Sequence, residues 1–216
     1  MASRRASILA LCGLAGALLL GVLPIADWVV HGDSIGRLLT REVVVWCCTL
    51  AILLWLTFVE RLPLSSIGFC RPNWKGVIFG VLAGIVLIAI QVIQFSIIIP
   101  LFHLDTAAIM ARLQGILHTP YWYRVLLVLR AAVTEEILFR GYIIEKVRQL
   151  TRSTLLAIIV SVAAFTAAHL RGWGPVQLIS VGAGGMVFAL LYVWRRDLPS
   201  NMLAHFLADA AGFLTR

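Results

Sequence analysis

Three apolar stretches of the chain carry side chains that an apolar environment penalises. They are Glu135 and Glu136 in AAVTEEILFRGYI, His169 in AAFTAAHLR, and His205 with Asp209 in NMLAHFLADA. Carboxylates and imidazoles take up and return protons near neutrality, and donors among them can steady developing negative charge. Activation of water for hydrolysis is therefore within reach of this set. Helical spacing sorts its members. Glu136 and Arg140 are four apart, share a face and can pair. Glu135 lies about 100° round a 3.6-residue helix from Glu136, so the adjacent carboxylates cannot do the same job. Glu135 is expected on the side of Phe139 and Tyr142. Phe165 and His169 share a face, as do His205 and Asp209.

Taken singly, each feature has a plainer explanation. Glu136–Arg140 reads as a structural ion pair, His169 as a hydrogen-bonded core residue, and His205–Asp209 as a clamp between helices. Taken together, three helices each contribute an unexpected polar group, and that conjunction points to one site. Glu, His, His and Asp are also competent zinc ligands, which leaves a metal alternative open, although no H-E-x-x-H is present.

The elements that must position these residues are membrane helices. The 216 residues are 61% hydrophobic and 13% charged, with a mean hydropathy of +0.97, against about 25% charge in a soluble domain. Such a chain lacks the polar groups for a soluble surface. The fold class expected is an all-α, polytopic membrane helix bundle of about seven spans (six to eight), at roughly 20 residues each. Charge-free runs cover 6–26, 43–59, 76–104, 153–170 and 172–194, with two more polar stretches at 121–150 and 198–214. The organisation expected is three N-terminal spans in 1–104, an interfacial segment in 105–120 and a core in 121–216. The first run reads as an uncleaved span rather than a signal peptide. Tyr121, Trp122 and Tyr123 read as an interfacial anchor after Pro120.

The net charge of +8 sits mostly at the ends of apolar runs, so it sets orientation rather than binding nucleic acid. With the N-terminus in the cytoplasm, ten Lys or Arg residues, including Arg4, Arg5 and Arg61, fall inside and six, including Arg171 and Arg216, fall outside. Of the ten carboxylates, Asp27, Asp33, Glu42, Glu60, Asp105, Glu145 and Asp197 flank spans; Glu135, Glu136 and Asp209 do not. A charge at the bilayer centre costs about 2.5–3.5 kcal/mol even on lenient scales, and such residues are usually functional. Cys12, Cys47, Cys48 and Cys70 form no C-x-x-C pair and read as small apolar residues. Gly182, Gly184 and Gly185 are expected to let helices pack closely within the bundle.

The motifs carry a family resemblance. AAVTEEILFRGYI resembles the E-E-x-x-x-R motif of the CAAX-protease and bacteriocin-processing (Abi) family, FTAAH its F-x-x-x-H motif and HFLAD its H-x-x-x-N/D motif. The likeness is strong over about 120–213 and weaker over 60–100. It implies a glutamate-type intramembrane endopeptidase that needs no cofactor and acts on a membrane-anchored protein or peptide. In that scheme Glu135 and His169 activate water, Glu136 and Arg140 hold the helix, and His205 with residue 209 stabilises the oxyanion. Prenyl-protein endopeptidases of the family usually carry Asn where this chain has Asp209. An ionised Asp has no donor, so Asp209 is expected to orient His205 instead. The site is expected in the middle-to-outer half of a bacterial inner membrane. A non-catalytic immunity or scaffold protein of the same fold is the alternative. A proton-coupled transporter fits less well, because the polar residues form one cluster rather than a chain across the bilayer.

Overall fold

In a computed structural model, residues 2–32 and 34–215 are described. Asp33, Arg216 and the side chain of Arg4 lie outside that description. Among the described residues every regular element is helical. Helix α1 is Ala2–Val22; α2 is Ile35–Val59; α3 is Trp74–Phe102; α4 is Ala107–Leu117. Helix α5 covers 121–151, as α-helix Tyr121–Glu135, π-helix Glu136–Ile144 and α-helix Glu145–Thr151. Then follow α6 (Thr154–Trp173), α7 (Leu178–Arg195) and α8 (Leu198–Phe213). Among the described residues five helices, α1, α2, α3, α6 and α7, are long and apolar enough to cross a membrane. Many of their large side chains, such as Leu50, Phe58, Ile85 and Leu155, lie exposed on the outside of the bundle. This is an integral membrane protein with its apolar surface turned to lipid.

Local sequence fixes the breaks. Asn73, Ser153 and Asp197 cap α3, α6 and α8 by accepting from the amides of Gly76, Leu156 and Ser200. Pro120 precedes α5, and Arg152 and Arg196 end helices in the left-handed conformation. The short helix α4 lies at the end of the bundle where α5 begins and where α6 and α8 finish.

Two packings hold the catalytic-type motifs in place. Helix α8 lies along α3, where Gly76, Gly80 and Gly84 form one stripe. A Cβ on Gly80 would come within 2.8 Å of the Ser200 carbonyl oxygen, so the backbones meet almost directly. On the other side, α1 and α2 cover the π segment. Ala17, Ile52 and Leu56 join Ile137, Phe139 and Tyr142 in one buried cluster. The glycines of α7 pack inside the bundle as expected: a Cβ on Gly184 would sit 3.2 Å from Leu87, and one on Gly185 3.1 Å from Phe165.

Candidate active site

The E-E-x-x-x-R motif straddles the junction where α5 changes from α to π geometry, with Glu135 the last α residue and Glu136 the first π residue. The i→i+5 winding is wider than the α-helix. It rotates the following side chains relative to the 3.6-residue expectation. Phe139 and Tyr142 consequently do not lie beside Glu135. They face α1 and α2, where Phe139 meets Gly21 and the Tyr142 hydroxyl donates to Glu60 at 2.9 Å.

Glu136 is fully buried and fully engaged. Its Oε1 accepts from Arg140 Nη1 at 3.1 Å and from His205 Nδ1 at 2.8 Å. Its Oε2 accepts from Asn201 Nδ2 at 3.1 Å. Arg140, also fully buried, stacks its guanidinium over Phe165 at 4.1 Å and Phe188 at 4.8 Å, and donates to the Gly185 carbonyl at 3.4 Å. This knot ties α5 to α6, α7 and α8. Its large desolvation cost is offset because both Glu136 oxygens and most of the polar atoms around them find partners, Arg140 Nε and Asn201 Oδ1 excepted.

Glu135 is arranged differently. Its Oε1 accepts from Arg130 Nη1 at 3.1 Å. Its Oε2 is buried and has no hydrogen-bond partner among the described residues. That oxygen stands 3.8 Å from His169 Nε2 and 4.0 Å from His205 Nε2. Separations of this size are ones a water molecule bridges. His169 Nδ1 lies 2.8 Å from the Phe165 carbonyl. A carbonyl only accepts, so Nδ1 carries the proton and a neutral His169 presents the Nε2 lone pair towards Glu135. The same argument assigns the Nδ1 proton of His205 to its bond with Glu136. Phe165 buttresses both imidazoles, with its ring centroid 4.6 Å from that of His169 and 6.2 Å from that of His205.

These groups open on a cavity of about 570 Å³ between α3, α4, α5, α6, α7 and α8. Its walls are mainly apolar, with Leu87, Phe95 and Ile116 among them, and Glu135, His169, His205 and Asp209 line it. Trp173 stacks on Phe213 beside it, at the end of the bundle nearest α4. His169 is one turn from the end of α6, so the site lies towards the end of the bundle that α4 occupies.

All seven residues singled out in the sequence, Glu135, Glu136, Arg140, Phe165, His169, His205 and Asp209, converge here. Asp209 Oδ2 is 3.6 Å from His205 Nε2, an ion-pair separation rather than a hydrogen bond, while Glu136 bonds the other nitrogen of His205 at 2.8 Å. Among the described residues no three His, Cys, Asp or Glu side chains are grouped as metal ligands. Three further residues belong to the site. Asn201 is fully buried on Glu136 and on the Phe188 carbonyl, the latter at 2.8 Å. It precedes His205 by four, so a polar stripe 201–205–209 on an apolar helix was the available signal. Arg130 holds Glu135, and Glu42 holds Arg130 through a 2.8 Å bond. Glu42 is therefore not merely a span-end charge, and Tyr123 is not a lipid-facing anchor. Tyr123 is buried and donates to Glu42 at 3.0 Å, while Tyr121 and Trp122 are exposed. Glu42 sits two turns into α2 and pairs with a helix distant in sequence, which spacing does not disclose.

Fold and site together define a polytopic membrane protein with a carboxylate–imidazole centre facing an intramembrane cavity. Residues 116–211 match the family described as Type II CAAX prenyl endopeptidase, Rce1-like. That segment contains all three motifs, and the family it resembles is one of peptidases. Comparison with curated proteins and with solved structures gives no match.

Proposed function

We propose that the chain is a glutamate-type intramembrane endopeptidase that hydrolyses a peptide bond in a membrane-anchored protein or peptide. The observation that carries this reading is the unpartnered, buried Oε2 of Glu135 facing two imidazoles across a cavity. Water held between Glu135 Oε2 and His169 Nε2 attacks the scissile carbonyl carbon, and its proton passes to Glu135. A His205 protonated on both nitrogens keeps Nδ1–H on Glu136 and offers Nε2–H to the oxyanion. Collapse breaks the C–N bond. Glu135 returns its proton to the leaving amine, which yields a new carboxylate and a new amino terminus. Glu136, Arg140 and Asn201 hold His205 and the helix rather than touching substrate. The proposed chemistry uses no metal ion, and full activity after exhaustive chelation is the expected result.

An anchored substrate suits a cavity with apolar walls inside the bilayer. The ten-to-six Lys/Arg bias supports a bacterial inner membrane with the N-terminus in the cytoplasm, and in that orientation the site is nearer the outer face. Cysteines introduced at positions 171 and 196 and labelled from each side test that orientation.

The deciding experiment is mass spectrometry of membrane proteins from cells with and without the chain. A C-terminus that appears only with the intact chain, and disappears with Glu135→Gln or His169→Ala at unchanged membrane abundance, is the expected outcome. Unchanged processing in Glu135→Gln would defeat the peptidase reading and favour a non-catalytic scaffold or immunity protein.

A further inference from the structure

The resemblance assigns no work to Arg130, and Glu42 lies outside the matched segment 116–211. Yet the two form an unbroken chain to the centre. The Tyr123 hydroxyl donates to Glu42 Oε1 at 3.0 Å, Arg130 Nε donates to Glu42 Oε2 at 2.8 Å, and Arg130 Nη1 donates to Glu135 Oε1 at 3.1 Å. The side chains of Arg130 and Glu42 are only 16% and 12% exposed. An arginine on an apolar helix needs a counter-charge, and this one has two. Thr134, one turn on, bonds the Arg130 carbonyl rather than its side chain.

The two oxygens of Glu135 thereby become unequal. One is occupied by a cation fixed from behind by α2; the other is bare and faces the cavity. On the peptidase reading, we infer that Arg130, braced by Glu42, is the positioning residue that makes Glu135 Oε2 the oxygen that takes the proton from water. A guanidinium is suited to this, because its planar fork meets two carboxylates at fixed angles while a lysine ammonium does not. The brace also assigns a role to the N-terminal helices. Helix α2 supplies the group that aims the carboxylate of α5. The other charged or titratable groups around Glu135 are His169 on α6, His205 and Asp209 on α8, Glu136 and Arg140 on its own helix, and Arg112 on α4 at the cavity wall.

Two readouts test it. The first uses the peptide spanning the cleavage site found by mass spectrometry, with the full chain purified in detergent. Loss of aim in a reacting group costs about 100-fold in rate, so Arg130→Gln is expected to lose about that much kcat with KM nearly unchanged. Arg130→Lys is expected to recover part of kcat. Glu42→Gln, which leaves the Arg130 charge in place, is expected to lose less than Arg130→Gln. The double variant should be no worse than Arg130→Gln alone, because the two residues act in series. The second readout needs no substrate. Dicyclohexylcarbodiimide, an apolar reagent that adds to protonated carboxyl groups, is expected to label Glu135 in Arg130→Gln more heavily than in the intact chain or Arg130→Lys. Intact kcat and unchanged labelling in a folded Arg130→Gln, with Glu135→Gln inactive, overturn this inference and leave the peptidase reading standing. Activity in Glu135→Gln removes the peptidase reading itself. A strictly additive double variant refutes the brace by Glu42.

Discussion

Helix α5 carries two buried polar clusters, and they differ in one respect. Near its C-terminal end, Lys146 pairs with Glu60, Tyr142 donates to the same carboxylate, and Glu145 binds Arg196 at 3.0 Å and Tyr192 at 3.2 Å. In its middle, Glu136 is held as completely, but Glu135 keeps one oxygen bare beside two imidazoles and a cavity. Both clusters put carboxylates, cations and aromatic rings at low exposure, with Arg196, 49% exposed, the exception. Burial of charge therefore does not distinguish structure from chemistry. On the peptidase reading the distinguishing mark is a carboxylate oxygen that faces two oriented imidazoles with no cation upon it; Glu60 Oε2 also lines a cavity and lacks a hydrogen bond, but Lys146 pairs with it.

The contrast predicts different consequences from the same kind of substitution. Glu136→Gln should have the largest effect, because it strands the fully buried Arg140 and releases His205 together. Breaking a buried pair costs about 3–5 kcal/mol. Thermal unfolding in detergent should show that loss, and any folded fraction should also fail to cleave. Glu60→Gln removes the partner of Lys146 at the other cluster. Its expected cost is about 3 kcal/mol, at the lower end for buried pairs, because Lys146 retains a 3.4 Å contact with Gln149. Specific activity per folded molecule should be unchanged. A folded but inactive Glu60→Gln would erase the distinction between the clusters.

The sequence disclosed the open cluster better than the closed one, for a physical reason. Glu135, Glu136, His169 and His205 stand out because they interrupt apolar runs, and helical spacing paired Glu136 with Arg140 correctly. Glu60, Glu145 and Lys146 occupy span ends, where charges are ordinary, and nothing in spacing reveals that they are buried. The all-helical bundle and the close packing of Gly184 and Gly185 were likewise readable from composition and small-residue pattern, although five helices rather than seven are long and apolar enough to span, among the described residues. Two features were not. The π segment EILFRGYII holds Gly141, three isoleucines and two aromatics, none of which specifies i→i+5 winding, so the rotation of Phe139 and Tyr142 away from Glu135 had no local signal. The Glu42–Arg130 pair joins residues 88 apart, and a single sequence carries no record of such a contact.

A smaller effect is expected outside the spans, at the head of α8, which carries His205. Burial by itself would raise the Asp197 carboxyl, but hydrogen bonds from Ser200 and Cys70 and the charge of Arg195 hold it below the usual aspartate range. A group held low in the folded state stabilises at neutral pH, and that stabilisation fades as pH falls through its folded value. Asp197→Ala should therefore cost about 1 kcal/mol, the usual value for a lost N-cap. The gap between variant and parent in detergent melting should be full at pH 7 and should narrow in acid below the ordinary aspartate value of about 4. A gap that stays constant into acid would show that the cap acts through packing rather than charge.

The smallest effect is expected within the open cluster, at Asp209. Its carboxylate lines the cavity but makes no hydrogen bond to His205, whose orientation is fixed by Glu136. Asp209→Asn keeps the shape, removes a negative charge near the point where the oxyanion forms, and adds an N–H donor. Each change favours the anionic intermediate. With Glu136 still holding Nδ1 of His205, cleavage should hold or rise, by no more than the roughly tenfold that one neutral hydrogen bond of about 1 kcal/mol and relief of a like charge can supply. Measured kcat of the folded variant decides the matter. Abolished turnover would mean that the Asp209 charge, and not Glu136 alone, governs His205, and the division of labour between the two carboxylates facing that imidazole would have to be redrawn.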